Sequence, residues 1–118
     1  MTFVSHVVLM KPRADLSAAD REALVAAFER AVREIPSIRG VRVGRRMMHA
    51  AAGERPDAAD YIAMLDFDDL AGLHAYLRHP AHAELGARFG VSLSSSTVLD
   101  FEMGGTEALR ARGFLQPE

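Results

Sequence analysis

Runs of apolar and β-branched residues predict four β-strands along the chain. The first run covers residues 3–11 and ends at Pro12, a residue that interrupts strand pairing. Weaker alternation predicts a second strand over residues 41–49, and the other two strands are expected over residues 61–67 and 91–103. The first strand carries apolar side chains at both odd and even positions. We therefore expect both of its faces to be covered.

Apolar residues at helical spacing predict helices between these strands. Ser17 is suited to cap the first helix, which is expected to run to about Glu34. Its core-facing stripe is formed by Leu24, Phe28, Ala31 and Ile35. A second helix is expected over residues 70–78, with an apolar face formed by Leu70, Leu73 and Leu77. Proline favours the first position of a helix, so a third, short helix is expected over residues 80–89.

The order strand, helix, strand, strand, helix, strand is that of a split βαβ unit. It predicts an α+β, ferredoxin-like βαββαβ domain over residues 1–103, with helices on one face of a four-stranded antiparallel sheet. A C-terminal tail is expected over residues 104–118. The helix-free face of the sheet is not expected to be fully polar, because the first strand is apolar on both sides. We expect a second copy to cover that face, which gives a homodimeric α/β barrel.

The composition excludes several classes of protein. The chain has 118 residues, of which 49% are hydrophobic, enough for one domain with its own core. It has no cysteine, which excludes disulfides, thiolate metal sites and a catalytic thiol. A formal net charge of -2 does not favour binding to nucleic acid. The sequence shows neither an apolar run long enough to span a membrane nor a signal peptide, so we expect a cytoplasmic protein.

The segment that joins the second and third predicted helices resembles a known family. Residues 76–82 read YLRHPAH, and His6 interrupts the otherwise apolar first strand. Together with the segments HVVLMK, REALVAAFE, IPSIRGVRVG and YIAMLDFDDLAGLHAYLRHPAHAEL, they resemble the stress-responsive α/β-barrel (Dabb) domain family. The likeness extends over roughly residues 3–103. It implies a ferredoxin-like fold that dimerises through its sheets.

The same resemblance implies where chemistry would take place. Most members of the family are stress-related or uncharacterised proteins. Some proteins that share the fold are enzymes on small hydrophobic molecules, including a plant cyclase that closes a linear polyketide with a tyrosine and a histidine. That enzyme type needs no metal and no organic cofactor. The matching catalytic positions here are Tyr76 and His82, with His6 in the same pocket.

The chemistry of these residues permits two interpretations. An imidazole with a pKa of about 6.5 can accept a proton at neutral pH, and a phenol can donate a hydrogen bond to an oxyanion. Tyr76 and His82 would then form the acid–base pair of a cofactor-independent cyclase or isomerase acting on a polyketide-like carbonyl compound. Alternatively, Tyr76 packs its ring in the core and His82 bonds a backbone carbonyl, as in a structural stress-response dimer without chemistry.

We expect a cleft between the helices and the sheet that binds a small, mostly apolar molecule. His6, Phe28, Tyr76 and His82 are its expected border. His79 is expected to cap the third helix and to lie close enough to contact a ligand. His79 and His82 are three residues apart, a spacing that does not favour a pair of zinc ligands on a helix, so no metal is expected.

Overall fold

Helices pack on one face of a four-stranded β-sheet in the computed structural model, which describes residues 2–51, 53, 58–111 and 114–115. The elements follow in the order β1 (Phe3–Pro12), α1 (Ala18–Glu34), β2 (Gly40–Arg45), β3 (Tyr61–Phe67), α2 (Leu70–Arg78), α3 (Pro80–Ser92), β4 (Leu93–Met103) and α4 (Ala108–Ala111). Side-chain caps begin the helices as the sequence predicts. The Ser17 hydroxyl accepts a hydrogen bond from the Asp20 amide at 3.1 Å, at the start of α1.

β1 lies in the interior of the sheet, whose strand order is β2-β3-β1-β4. It runs antiparallel to β3 on one side and to β4 on the other, and β2 runs antiparallel to β3. In this register His6 lies opposite Leu65 of β3 and Asp100 of β4. The topology confirms the predicted ferredoxin-like βαββαβ fold.

Three predicted element boundaries are wrong, and contacts between elements explain them. β2 ends at Arg45 and not near residue 49, because Arg45 pairs with Tyr61, the first residue of β3, where the ladder begins. α3 continues past its predicted end to Ser92, because the Leu93 amide closes the last turn on the Phe89 carbonyl. β4 therefore begins at Leu93, two residues later than predicted.

The core lies between the sheet and α1, α2 and α3. Two residues of the predicted α1 stripe, Ala31 and Ile35, are buried in this core. Leu24 and Phe28 pack against the core from partly exposed positions. The predicted face of α2 is wrong in part. Leu73 is buried, but Leu70 and Leu77 are exposed, because the helix turns Tyr76 toward the sheet in their place.

The face of the sheet away from the helices is largely apolar. Even-numbered residues of β1 pack in the core, so its odd-numbered residues point to the opposite face. Their neighbours on β3 and β4 continue that surface, whose apolar side chains include Phe3, Val7, Leu9, Ile62, Met64, Leu99 and Phe101. Leu99 and Phe101 are 45% and 46% exposed. A single chain therefore presents a contiguous apolar surface to solvent.

Candidate functional site

Three rings from β1, α2 and α3 meet where the helices cover the sheet. The Tyr76 ring lies between two histidines, with its centroid 5.4 Å from that of His6 and 4.7 Å from that of His82. Both contacts are edge-to-face. We call these three residues the ring cluster. The fold thus brings together three of the residues that the sequence singles out.

A carboxylate orients His6 within the ring cluster. His6 is 4% exposed, and its Nδ1 lies 2.6 Å from Oδ1 of Asp100. Because a carboxylate oxygen accepts hydrogen bonds, Nδ1 of His6 is the donor in this contact. Sequence reasoning missed Asp100. The signal that identifies it is its position opposite His6 in the β1–β4 ladder, which the sequence alone does not define.

Burial determines the state of the Tyr76 hydroxyl. The residue is 2% exposed, and its ring also packs against Phe67 at 5.4 Å. Burial raises the pKa of Tyr76 to about 12, so the phenol stays protonated at neutral pH. Within the described part of the chain, the hydroxyl has no hydrogen-bond partner. Its hydrogen is therefore not donated to any group that the structure describes.

The break between α2 and α3 brings His82 beside Tyr76. α2 ends at Arg78, and Pro80 begins α3. Burial and the nearby His6 lower the pKa of His82 below its ordinary value of 6.5, while a hydrogen bond to the Leu77 carbonyl opposes this shift. His82 is accordingly neutral at pH 7. One ring nitrogen is bonded to the carbonyl and the other can accept a proton.

His79 caps α3, in the role that its position before a proline suggests. Its Nδ1 accepts a hydrogen bond from the Ala81 amide at 3.0 Å. The lone pair of Nδ1 is used by the protein itself, so only the rest of the ring can contact a ligand. The cap fixes the angle at which α3 leaves α2, and hence the position of His82.

Phe28 lies in a separate feature, an apolar groove between α1 and the sheet. The groove consists of two adjoining cavities of about 670 and 500 Å³, and both are lined by Met10, Leu24, Val25 and Val43. Phe28 and Phe89 belong to the larger cavity. We call the two cavities together the α1 groove. Residues of the ring cluster do not line it, so the four residues expected to border one cleft divide between two features.

Neither a metal centre nor a membrane span is found among the described residues. No group of three or more His, Asp or Glu side chains in that part of the chain is arranged to hold a metal ion. None of its helices combines the length and the apolar character needed to cross a bilayer.

The fold and the ring cluster together define a ferredoxin-like domain with one tyrosine and two histidines packed where the helices cover the sheet. The chain belongs to the stress responsive A/B barrel domain family, whose model matches residues 4–103. The resemblance inferred from the residues is thereby confirmed. No protein of curated function matches the chain.

Solved structures of similar fold come from plants and bacteria. The chain is 18% identical to a hydroxynitrile lyase from Passiflora edulis, with a TM-score of 0.76, over 88% of this chain and 95% of that one. It is 27% identical to a dimeric protein of unknown function with a ferredoxin-like fold from Bacteroides fragilis (TM-score 0.62, 86% and 96% covered). A dimeric ferredoxin-like protein of unknown function from Thermobifida fusca is 20% identical (TM-score 0.68, 86% and 92% covered).

Proposed function

We propose that this protein is a homodimer that binds a small, mostly apolar molecule in the α1 groove. The larger cavity carries this proposal, because its volume of about 670 Å³ lies in the range typical of ligand sites. Apart from Glu29 and Arg33, its described lining is apolar. Val25 and Val43 of the groove are 50% and 67% exposed, so an apolar occupant would remove them from water.

A thermal-shift screen with aromatic polyketides, lactones and small aldehydes tests this binding. A ligand at about 100 times its Kd stabilises the fold by roughly 2.7 kcal/mol, a shift that is readily measured. Val25→Trp fills the groove from an exposed position and should abolish the shift. Ala26→Trp is the matched control, because Ala26 is exposed on α1 without lining the groove. An equal shift in both variants would refute binding in the groove.

The proposal of a homodimer is supported by the apolar open face of the sheet. Its exposed side chains would be buried if two sheets packed face to face. The similar proteins from Bacteroides fragilis and Thermobifida fusca are both described as dimeric. Closed two-fold pairing is also the commonest assembly of identical chains.

A second candidate function is cofactor-independent acid–base chemistry on a carbonyl compound, such as cyclisation or isomerisation. The observation that favours it is a protonated Tyr76 hydroxyl without a partner in the described chain, beside a neutral His82. His6, oriented by Asp100, supplies a third polar ring. A hydroxynitrile lyase shares the fold, so this architecture can carry an enzyme.

The ring cluster supports an isomerisation in two proton transfers. His82 accepts a proton from the carbon next to the carbonyl, and the electron pair of the broken C–H bond moves onto the carbonyl oxygen as an enolate. The Tyr76 hydroxyl donates a hydrogen bond to that oxygen without losing its proton. In a β,γ-unsaturated carbonyl compound this enolate is conjugated with the double bond, so return of the proton from His82 to the γ-carbon restores the carbonyl, moves the double bond to the α,β position and leaves the imidazole neutral.

Exchange of ligand protons for deuterium tests this chemistry without knowledge of the product. Each carbonyl compound of the thermal-shift screen, whether or not it stabilises the protein, is incubated with the protein in D₂O, and loss of its α-proton signal is followed by NMR. Tyr76→Phe and His82→Ala should each abolish exchange, while circular dichroism shows that both stay folded. Binding without exchange in the wild type would exclude the acid–base chemistry and keep the binding function. Absence of both would favour the structural dimer.

A further inference from the structure

The α1 groove is elongated along the helix. Its smaller cavity reaches Arg21, near the start of α1, and its larger cavity reaches Arg33, near the end. The twelve residues between these positions rise by about 18 Å. The middle of the groove is aliphatic, formed by the four residues that both cavities share. Its shape and lining suit a long, unbranched apolar chain.

The two ends of the α1 groove differ in charge. Arg21 and Arg45 line the smaller cavity, together with Tyr61, and its described lining contains no acidic residue. The Arg21 guanidinium is held in place by its Nε, which donates to the Leu16 carbonyl at 3.2 Å. At the opposite end Glu29 lies beside Arg33. An anionic group is therefore favoured at the Arg21 end and opposed by Glu29 at the other.

Both guanidinium groups at the Arg21 end can bind an anion. Neither Arg21 nor Arg45 forms an ion pair with any residue that the structure describes. Asp60, which lines a smaller cavity together with Arg45, is paired with Lys11 at 3.7 Å. Guanidinium groups match the geometry of a carboxylate better than an ammonium does.

We propose that the occupant of the α1 groove is an unbranched fatty acid of about 14 carbons, with its carboxylate bound by Arg21 and Arg45. Three bonds of an extended chain span about 3.8 Å, so a chain of roughly 14 carbons fills the 18 Å groove. The inference rests on the proposed binding function and names its ligand class. The carboxylate and the chain are separate parts of it, and each has its own test.

Titration calorimetry with sodium dodecanoate and dodecan-1-ol, both below their aggregation concentrations, tests the carboxylate. The acid should bind at least tenfold more tightly than the alcohol, because charge-assisted hydrogen bonds are lost with the alcohol. In a series of acids from eight to sixteen carbons, affinity should rise about fourfold per methylene and level off near 14. Affinity that keeps rising beyond 14 would overturn the assigned length.

Four variants locate the bound acid. Arg21→Gln and Arg45→Gln should each weaken dodecanoate binding roughly tenfold and leave dodecan-1-ol unaffected. Arg78→Gln removes the same charge from an exposed position on α2 outside the groove, and should change neither affinity. Val25→Trp should weaken both ligands by obstructing the chain.

The failures of the two proposals are distinguishable. Equal binding of acid and alcohol, insensitive to the arginine variants but lost in Val25→Trp, would overturn the fatty acid and keep an apolar ligand. Binding of neither probe, with small apolar compounds still stabilising the protein, would also overturn only the fatty acid. Absence of all binding would overturn both.

Discussion

Single residues of the ring cluster owe their properties to burial more than to local sequence. Tyr76 and His82 lie on neighbouring helices, yet each is displaced from its ordinary pKa in the direction that keeps it uncharged at neutral pH. A buried phenol and a partly buried neutral imidazole can exchange hydrogen bonds with a ligand without a charge being buried first. This combination is chemically useful and also compatible with a stable core.

Two substitutions of Tyr76 distinguish the contribution of its hydroxyl to stability from that of its ring. Tyr76→Phe should change the free energy of unfolding by less than about 1 kcal/mol, because the hydroxyl has no partner in the described chain. Tyr76→Ala should cost roughly 3–5 kcal/mol, because it leaves a cavity in the core. Urea denaturation measures both. A loss in Tyr76→Phe as large as that in Tyr76→Ala would mean that the hydroxyl is bonded internally.

His82 should make stability depend on pH. Its pKa in the folded chain lies below 6.5, so the unfolded chain takes up the proton more readily as the pH falls. The stabilising contribution of the neutral ring is therefore present above pH 6.5 and is lost as the pH falls toward the folded-state pKa. Between about pH 7.5 and 5, the urea midpoint of the wild type should fall more steeply than that of His82→Gln. His74→Gln, an exposed change on α2, should keep the wild-type slope.

Part of the candidate site could be predicted from the sequence. Tyr76, His79 and His82 are close along the chain, so the helix break alone brings them near one another. The partnership of His6 with Asp100 depends on a strand register between residues 94 positions apart, which local patterns do not encode. The charge difference between the ends of the α1 groove likewise arises only when α1 lies over β2.

At the scale of elements, the junction of α2 and α3 is the local feature on which the ring cluster depends. His79→Ala should cost about 1 kcal/mol, because the Ala81 amide loses its acceptor. His79→Asn should restore most of that loss, since asparagine is a strong N-cap. Thermal unfolding compares them, with the exposed His74→Ala as the control. Equal losses in His79→Ala and His79→Asn would show that the cap does not stabilise the junction.

The sequence predicts an element's ends correctly where a local capping residue sets them. It does not predict them where pairing or hydrogen bonding with the next element sets them. β3 and α2 match their predicted bounds, because capping by Asp69 separates them. β2 and α3 do not match theirs, since the start of β3 and the last turn before Leu93 decide where they end. The exposed Leu70 and Leu77 reflect the same limit, because a nine-residue helix has too few turns to define its buried face by spacing alone.

At the scale of the whole molecule, the open face of the sheet predicts the assembly. Light scattering at micromolar concentration should give twice the 12.9 kDa mass of one chain. Leu99→Lys places a charge on the open face and should raise the dimer Kd by about thirtyfold or more.

The neighbouring residue provides a matched control for that variant. Val98 is 49% exposed, close to the 45% of Leu99, but its side chain points to the other face of β4. Val98→Lys should leave the dimer intact. A monomeric wild type, or equal dissociation in both variants, would contradict assembly through the open face.

The position of β1 also has a consequence for the growing polypeptide. β1 lies between β3 and β4, although β4 begins about eighty residues after β1 ends. During translation, the edge of β1 that β4 will occupy stays unpaired until those later residues leave the ribosome. His6 has no access to Asp100 in that interval. A nascent chain of this protein thus exposes an unpaired apolar strand edge until β4 has been synthesised, and we expect ribosome-associated chaperones to be needed more by this fold than by one whose first strand lies at an edge.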